Sequence, residues 1–239
     1  MKPTDKFLLA ESLTLANWRL WQHDFEHRLS NSGFDKLPIL NCIDRFSAFT
    51  KDYNLSRNIP GGPVDKKGSS SEQAKKRILA QGRREFIMNL VREDPPINAK
   101  SIDEYAVELA KQANSAPGLP NLSKLAKRSQ VSKSRSLVSK ICSFWNPVEF
   151  PPFDQYASNA LKEKSSYSAY QSKFKNRLLN FFDERHENVK FYENYLCQLA
   201  KVGEGCGPAI RAKILDVTLM IEGGLWNNQI VPEVSKNKL

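Results

Sequence analysis

Apolar residues recur at helical spacing along most of this chain. Leu15, Trp18, Trp21, Phe25 and Leu29 fall three or four positions apart, which predicts an amphipathic helix near the N-terminus. The segment from Asn54 to Ser71 carries RNIPGGP and DKKGSSS and reads as a long, mobile loop. Ser71, followed by Glu72, Gln73 and a basic amphipathic run, predicts a capped helix over 72–92, stopped by Pro95-Pro96. Ser101 predicts the cap of a helix reaching Gln112, with Tyr105 and Leu109 on its apolar side, before SAPGLPN breaks the chain. Further helices are expected over 133–145, 155–164, 169–183, 190–201 and 208–222. No stretch alternates at period two between hairpin turns, which argues against a large sheet. The expectation is an all-α fold. It has an N-terminal helical region over 1–100 and a second region over 101–239, the two packing as one unit.

At 239 residues, 40% of them apolar, the chain is long enough to bury a core. No apolar run approaches the roughly 18 residues that span a bilayer. The apolar run in MKPTDKFLLAESLT is short and interrupted by Glu11, unlike a signal peptide. The expectation is therefore a cytoplasmic monomer with reduced cysteines at 42, 142, 197 and 206, whose spacing forms no CxxC pair.

Charge changes the picture more. The formal net charge is +10, which favours an anionic polymer as partner. From Leu109 to Val148 there is no acidic residue, while Lys111, Lys124, Lys127, Arg128, Lys133, Arg135 and Lys140 all fall there. Ser132, Ser139 and other serines between them offer hydroxyls to phosphate oxygens. This stretch predicts DNA contact through Lys124, Lys127, Arg128, Ser132, Lys133, Arg135 and Ser139.

Three patterns bear on chemistry. His23-Asp24-Phe25-Glu26-His27 has the H-x-x-E-H form of one metalloprotease class, but no second motif supplies a third ligand, and a structural helix is the better reading. No metal or cofactor is expected. Gly203-Glu204-Gly205-Cys206-Gly207-Pro208 lacks a preceding strand, so it is not a dinucleotide fingerprint. It reads as an interhelical turn with Pro208 opening the next helix, or as a turn whose free N–H groups bind a DNA phosphate. The apolar helix that follows buries Asp216, which needs Arg211 or Lys213 as partner.

The third pattern is SLVSKICSFWNPVEFPPFDQYASNAL, residues 136–161. Leu137, Val138, Ile141, Cys142, Phe144 and Trp145 fill one arc of a helix, and Lys140 falls on its rim. There it reads either as a snorkelling lysine or as a partly desolvated amine with nucleophilic character. Pro147 ends the helix, Pro151-Pro152 keeps the chain extended, and Asp154 is the N-cap of the next helix. The positive end of that helix favours the anionic form of a carboxylate.

SKICSFWNPVEFPPFDQYASNAL resembles the catalytic region of the helix-hairpin-helix DNA glycosylases related to 8-oxoguanine DNA glycosylase. In that family a lysine on the second hairpin helix is followed by an extended proline-containing link and an aspartate that starts the next helix. Lys140 and the Phe150-Pro151…Asp154 arrangement match these features, and RAKILDVTLMIEGG (211–224) resembles the terminal helix of compact members. The resemblance covers roughly residues 122–224. The family's Leu-Pro-Gly-x-Gly hairpin turn is replaced here by Ser129-Gln130-Val131-Ser132-Lys133-Ser134, and the lysine-to-aspartate separation is shorter. Lys133, one heptad earlier, is the alternative lysine.

The resemblance implies a glycosylase-like helical fold with a helix-hairpin-helix-type element, acting on double-stranded DNA without a cofactor. A base is flipped into a pocket, for which Phe144, Trp145, Phe153 and Tyr156 are the aromatic candidates. Asp154 stabilises the positive charge left on the sugar. Lys140 then forms a Schiff base with strand cleavage, or water completes hydrolysis. Oxidised guanine is the base the family implies, in DNA repair; a bulky modified pyrimidine, excised in antiviral defence, is the alternative. A non-catalytic helical DNA-binding protein is the competing reading.

Overall fold

The computed structural model describes residues 33–52, 69–98, 100–116, 124–183 and 207–225, with Ala10, Leu13, Leu55, Tyr195 and Gln198. Side chains are described within these ranges except at 52, 76, 114, 124–133 and 181–183. The expected helix over 15–29, that over 190–201 except Tyr195 and Gln198, the H-x-x-E-H pattern and most of the 54–71 loop lie outside the described residues. Among those described there is no strand, and the fold is mainly α.

The chain divides into two units, Ser30–Trp145 and a second made of Met1–Leu29 with Asn146–Leu239. The helices on either side of residue 100 pack in the same unit, Ser30–Trp145.

Unit Ser30–Trp145 opens with two 3-10 turns, Phe34–Lys36 and Pro38–Leu40, and a short helix α1 (Ile43–Asp52) that the sequence reading did not anticipate. Helix α2 (Ser70–Glu93) begins earlier than expected. Its cap is Ser69 rather than Ser71, in a capping box where Ser69 Oγ accepts from the Glu72 N–H and Glu72 accepts from the Ser69 N–H at 2.8 Å. Helix α3 (Ile102–Asn114) is capped by Ser101 as expected. Its residues Ile102, Tyr105, Ala106, Leu109, Ala110 and Ala113 form one buried stripe.

That stripe packs chiefly on helix α4 (Lys124–Trp145). Leu137, Val138, Ile141, Cys142 and Phe144 of α4 are wholly buried, and each large aliphatic or aromatic side chain so placed stabilises the unit by roughly 1.5–3 kcal/mol. Burial also pushes the Cys142 thiol up, away from the reactive thiolate. Polar contacts also tie α3 to both α4 and α2. Asp103 in the first turn of α3 pairs with Arg135, and Arg83 of α2 donates to the last-turn carbonyl of Ala113 at 3.3 Å.

Helix α4 starts nine residues before the expected Lys133, because nothing between Lys124 and Lys133 breaks a helix. It runs without interruption through Ser129–Ser134. The resemblance calls for a hairpin turn ahead of Lys140, and no turn stands there.

The second unit contains α5 (Gln155–Ala160), α6 (Tyr167–Asp183) and α7 (Gly207–Glu222), with α7 packed on both α5 and α6. Helix α5 is shorter than the expected 155–164; Lys162, at φ 51, turns the chain out of it. Helix α7 matches the expected 208–222 closely and buries residues on nearly every side, Lys213 and Asp216 among them. Pro208 sits in its first turn, where no intrahelical N–H is required.

Candidate functional site

The link from Asn146 to Asp154 begins with a turn closed by the Phe150 N–H on the Asn146 carbonyl at 2.7 Å, and helix α6 holds it from there through Pro152. Gln171 Nε2 donates to the Glu149 carbonyl, and Lys175 Nζ lies 2.8 Å from the Glu149 carboxylate. Tyr167 donates its hydroxyl to the Pro151 carbonyl at 2.9 Å, and Tyr170 donates to the Pro152 carbonyl at 2.9 Å. Pro151, Pro152, Tyr167 and Tyr170 are all buried. The link is thus tied along one face of α6 by residues three to four positions apart.

Phe153 is buried with this clamp. Its ring meets Tyr170 edge-on at 5.0 Å and lies 6.4 Å from Tyr167, and Tyr170 continues to Phe174 at 6.2 Å. Asp154, next in sequence, is half-buried and caps α5, accepting from the Tyr156 N–H at 2.8 Å. The Ser158 hydroxyl closes on the Asp154 carbonyl at 2.6 Å. The N-cap role expected for Asp154 is present.

Helix α7 meets α5 at its C-terminal end. A Cβ on Gly223 would stand 1.8 Å from the Tyr156 carbonyl oxygen, so only a glycine admits this approach of the two backbones. Asn159 Nδ2 reaches the Gly223 carbonyl at 3.5 Å, and Gly224, at φ +105, turns the chain away in a conformation that favours glycine. Two turns earlier on α7, Lys213 Nζ is 3.5 Å from Asp216 Oδ2, with both side chains about 95% buried by their exposures of 5% and 6%. Lys213, one of the two partners expected for Asp216, is in reach. The carboxylates of Asp216 and Asp154 both act on Tyr170. Burial first, then these two negative charges, hold the Tyr170 hydroxyl well above the usual phenol range and keep it a donor.

Other predicted site residues are placed differently. Lys140 belongs to the unit Ser30–Trp145 and Asp154 to the other, so the pair is not a constellation within either unit. Lys140 is 8% exposed rather than on a rim, and its carbonyl accepts from Ser143 Oγ at 2.8 Å. Ser139, expected at a phosphate, is wholly buried and donates to the Ser136 carbonyl at 3.2 Å, which removes its hydroxyl from any surface. Arg135 is engaged by Asp103. Lys124, Lys127, Arg128, Ser132 and Lys133 lie on the first half of α4, and their side chains lie outside the described residues.

The four aromatic pocket candidates divide in the same way. Phe144 is in the core of the first unit, edge-on to Phe49 at 5.2 Å, and half-buried Trp145 packs near Phe34. Phe153 is part of the tyrosine clamp, and Tyr156 is the one in Asp154's unit that keeps appreciable exposed surface. Among the described residues no group of three metal-ligating side chains could hold an ion, and no helix is long and apolar enough to cross a membrane. Sequence reasoning missed Tyr167 and Tyr170, although their spacing with Phe174 marks one helix face. No family model, curated protein or solved structure matches the chain.

Proposed function

We propose that this chain acts on duplex DNA and releases a damaged or modified base by hydrolysing its N-glycosidic bond, with Asp154 as the carboxylate that stabilises the cationic sugar. One arrangement carries the reading. A half-exposed carboxylate at a helix start is held by a backbone N–H, on a link whose two preceding carbonyls are gripped by buried tyrosines. Such fixed placement lets a negative charge act on a developing cation without reorganising as the reaction proceeds. The basic first half of α4, with Lys124, Lys127, Arg128 and Lys133, supplies the affinity for phosphates, which falls steeply as salt rises.

Of the two routes, hydrolysis is the better supported. Lys140 is buried in the core of α4, and a Schiff base requires an amine that reaches the sugar carbon. Water attacks that carbon, the glycosidic bond breaks, the base leaves with the bonding pair, and the water proton passes to solvent or to Asp154. The sugar is left as an abasic site with the strand intact. Oxidised guanine and bulky modified pyrimidines are the two substrate classes to compare.

The second reading is a non-catalytic helical DNA-binding protein. It is favoured by the unbroken α4, which has no hairpin turn before Lys140. Mass spectrometry of bases released from a panel of modified duplexes separates the two. The enzyme reading predicts one released base and an alkali-sensitive strand, with no borohydride-trapped adduct on Lys140. Binding without release from any duplex would leave only the second reading.

A further inference from the structure

Helix α2 carries a surface that the site above does not use. From Gln73 to Arg84 it holds five basic residues (Lys75, Lys76, Arg77, Arg83 and Arg84) and no acid. Its buried residues Ala80, Arg83, Ile87, Met88 and Val91 belong to the later turns. In the first turns, Ser70, Ser71, Glu72, Ala74, Lys75, Arg77 and Ile78 are all exposed, and Gln81 continues that face. Ile78 is 70% exposed.

With about 100° per residue, Arg77, Gln81, Ala74, Ile78 and Lys75 follow one another around an arc of roughly 160°. The two cations stand at the edges, and a small ridge of Ala74, Ile78 and Gln81 lies between them. A single exposed isoleucine is ordinary on a protein surface. Flanking cations on both sides, with no acid between Glu72, which is held in the cap, and Glu85 one turn past Gln81, give the early turns of this face a charge complementary to a polyanion. A helix roughly 10–12 Å across also matches the major groove of B-DNA, about 12 Å wide, whose walls are phosphates and whose floor offers thymine methyls and adenine edges.

We propose that the first half of α2 is a second DNA contact. Lys75 and Arg77 reach the phosphate walls of the major groove, and Ala74, Ile78 and Gln81 face its floor. This rests on DNA being the partner, but not on base excision. Ser69 and Glu72 serve it indirectly, because their capping box keeps these turns helical where few tertiary contacts do.

Fluorescence anisotropy of the full chain on an unmodified 20-base-pair duplex, measured across a salt series, tests it. The double variant Lys75→Ala/Arg77→Ala should bind about tenfold or more weakly at low salt. It should also lower the slope of log K against log salt by roughly 2, one for each lost phosphate contact. Ile78→Ser should weaken binding severalfold with the slope unchanged. A reference variant, Lys36→Ala/Lys100→Ala, removes the same charge from exposed positions elsewhere. Circular dichroism establishes that each variant keeps its helix. An unchanged slope in Lys75→Ala/Arg77→Ala, or an equal loss in the reference variant, overturns the proposal while leaving DNA as the partner. A loss seen on polyglutamate and not on duplex overturns it in favour of an acidic protein segment. No duplex binding by the wild type removes DNA altogether and defeats the functional reading with it.

Discussion

Tyr170 donates its hydroxyl to the carbonyl of Pro152 at 2.9 Å, two residues before the Asp154 carboxylate. The bond joins the middle of a helix to an extended link that has no secondary structure of its own. Tyr170→Phe keeps the ring packing against Phe153 and leaves the buried Pro152 carbonyl unsatisfied, which should destabilise the protein by about 1–3 kcal/mol in denaturant unfolding. Tyr167→Phe should behave alike at Pro151.

The same hydroxyl sets an alkaline limit. Burial, with Asp216 and Asp154 nearby, raises the Tyr170 phenol in the folded state above its unfolded value of about 10. A raised folded value means that its contribution is fully present below the unfolded value and is lost as pH rises toward the folded one. Stability should therefore decline above about pH 10. Tyr170→Phe should flatten that decline, as measured by chemical unfolding at successive pH values.

Much of the fold is legible in the residues, for physical reasons that differ from place to place. Asp154 announces itself because an acid after Pro-Pro-Phe has few roles other than an N-cap. Helix α7 is read within one residue because Gly207-Pro208 opens it and Gly223-Gly224 closes it. Helix α4 is misjudged at its start because the polar, serine-rich residues before Lys133 show little apolar periodicity, although no proline or glycine among them breaks a helix. The tyrosine clamp is hidden for another reason: a hydroxyl reaching a carbonyl 16 or 18 residues away depends on tertiary packing that no local pattern encodes.

Gly223→Ala should be costly although its size change is one methyl. The new Cβ would overlap the Tyr156 carbonyl, so α7 must withdraw from the first turn of α5. A loss of roughly 1–3 kcal/mol is expected. Gly224→Ala, where space is open and only the φ of +105 resists, should be destabilising through backbone strain instead.

The Lys213–Asp216 pair is buried on both sides, and such pairs are sensitive to losing one member. Lys213→Met should destabilise by about 3 kcal/mol or more, since it removes a cation from beside a carboxylate in the interior. The double variant Lys213→Met/Asp216→Leu should recover most of that loss, as a double-mutant cycle in urea would reveal. A double-variant loss equal to the sum of the losses in Lys213→Met and Asp216→Leu alone would mean that the pair contributes nothing of its own.

The central claim is that the Asp154 carboxylate drives base release, and single-turnover assays on the duplex whose base the wild type releases test it most directly. Asp154→Asn should keep the cap hydrogen bond and bind that duplex within about threefold of wild type. Its rate of base release should fall by roughly 10²–10³, the loss that follows removal of one preorganised charge-stabilising group. Lys140→Met should still release the base. Release by Asp154→Asn at the wild-type rate would contradict the account.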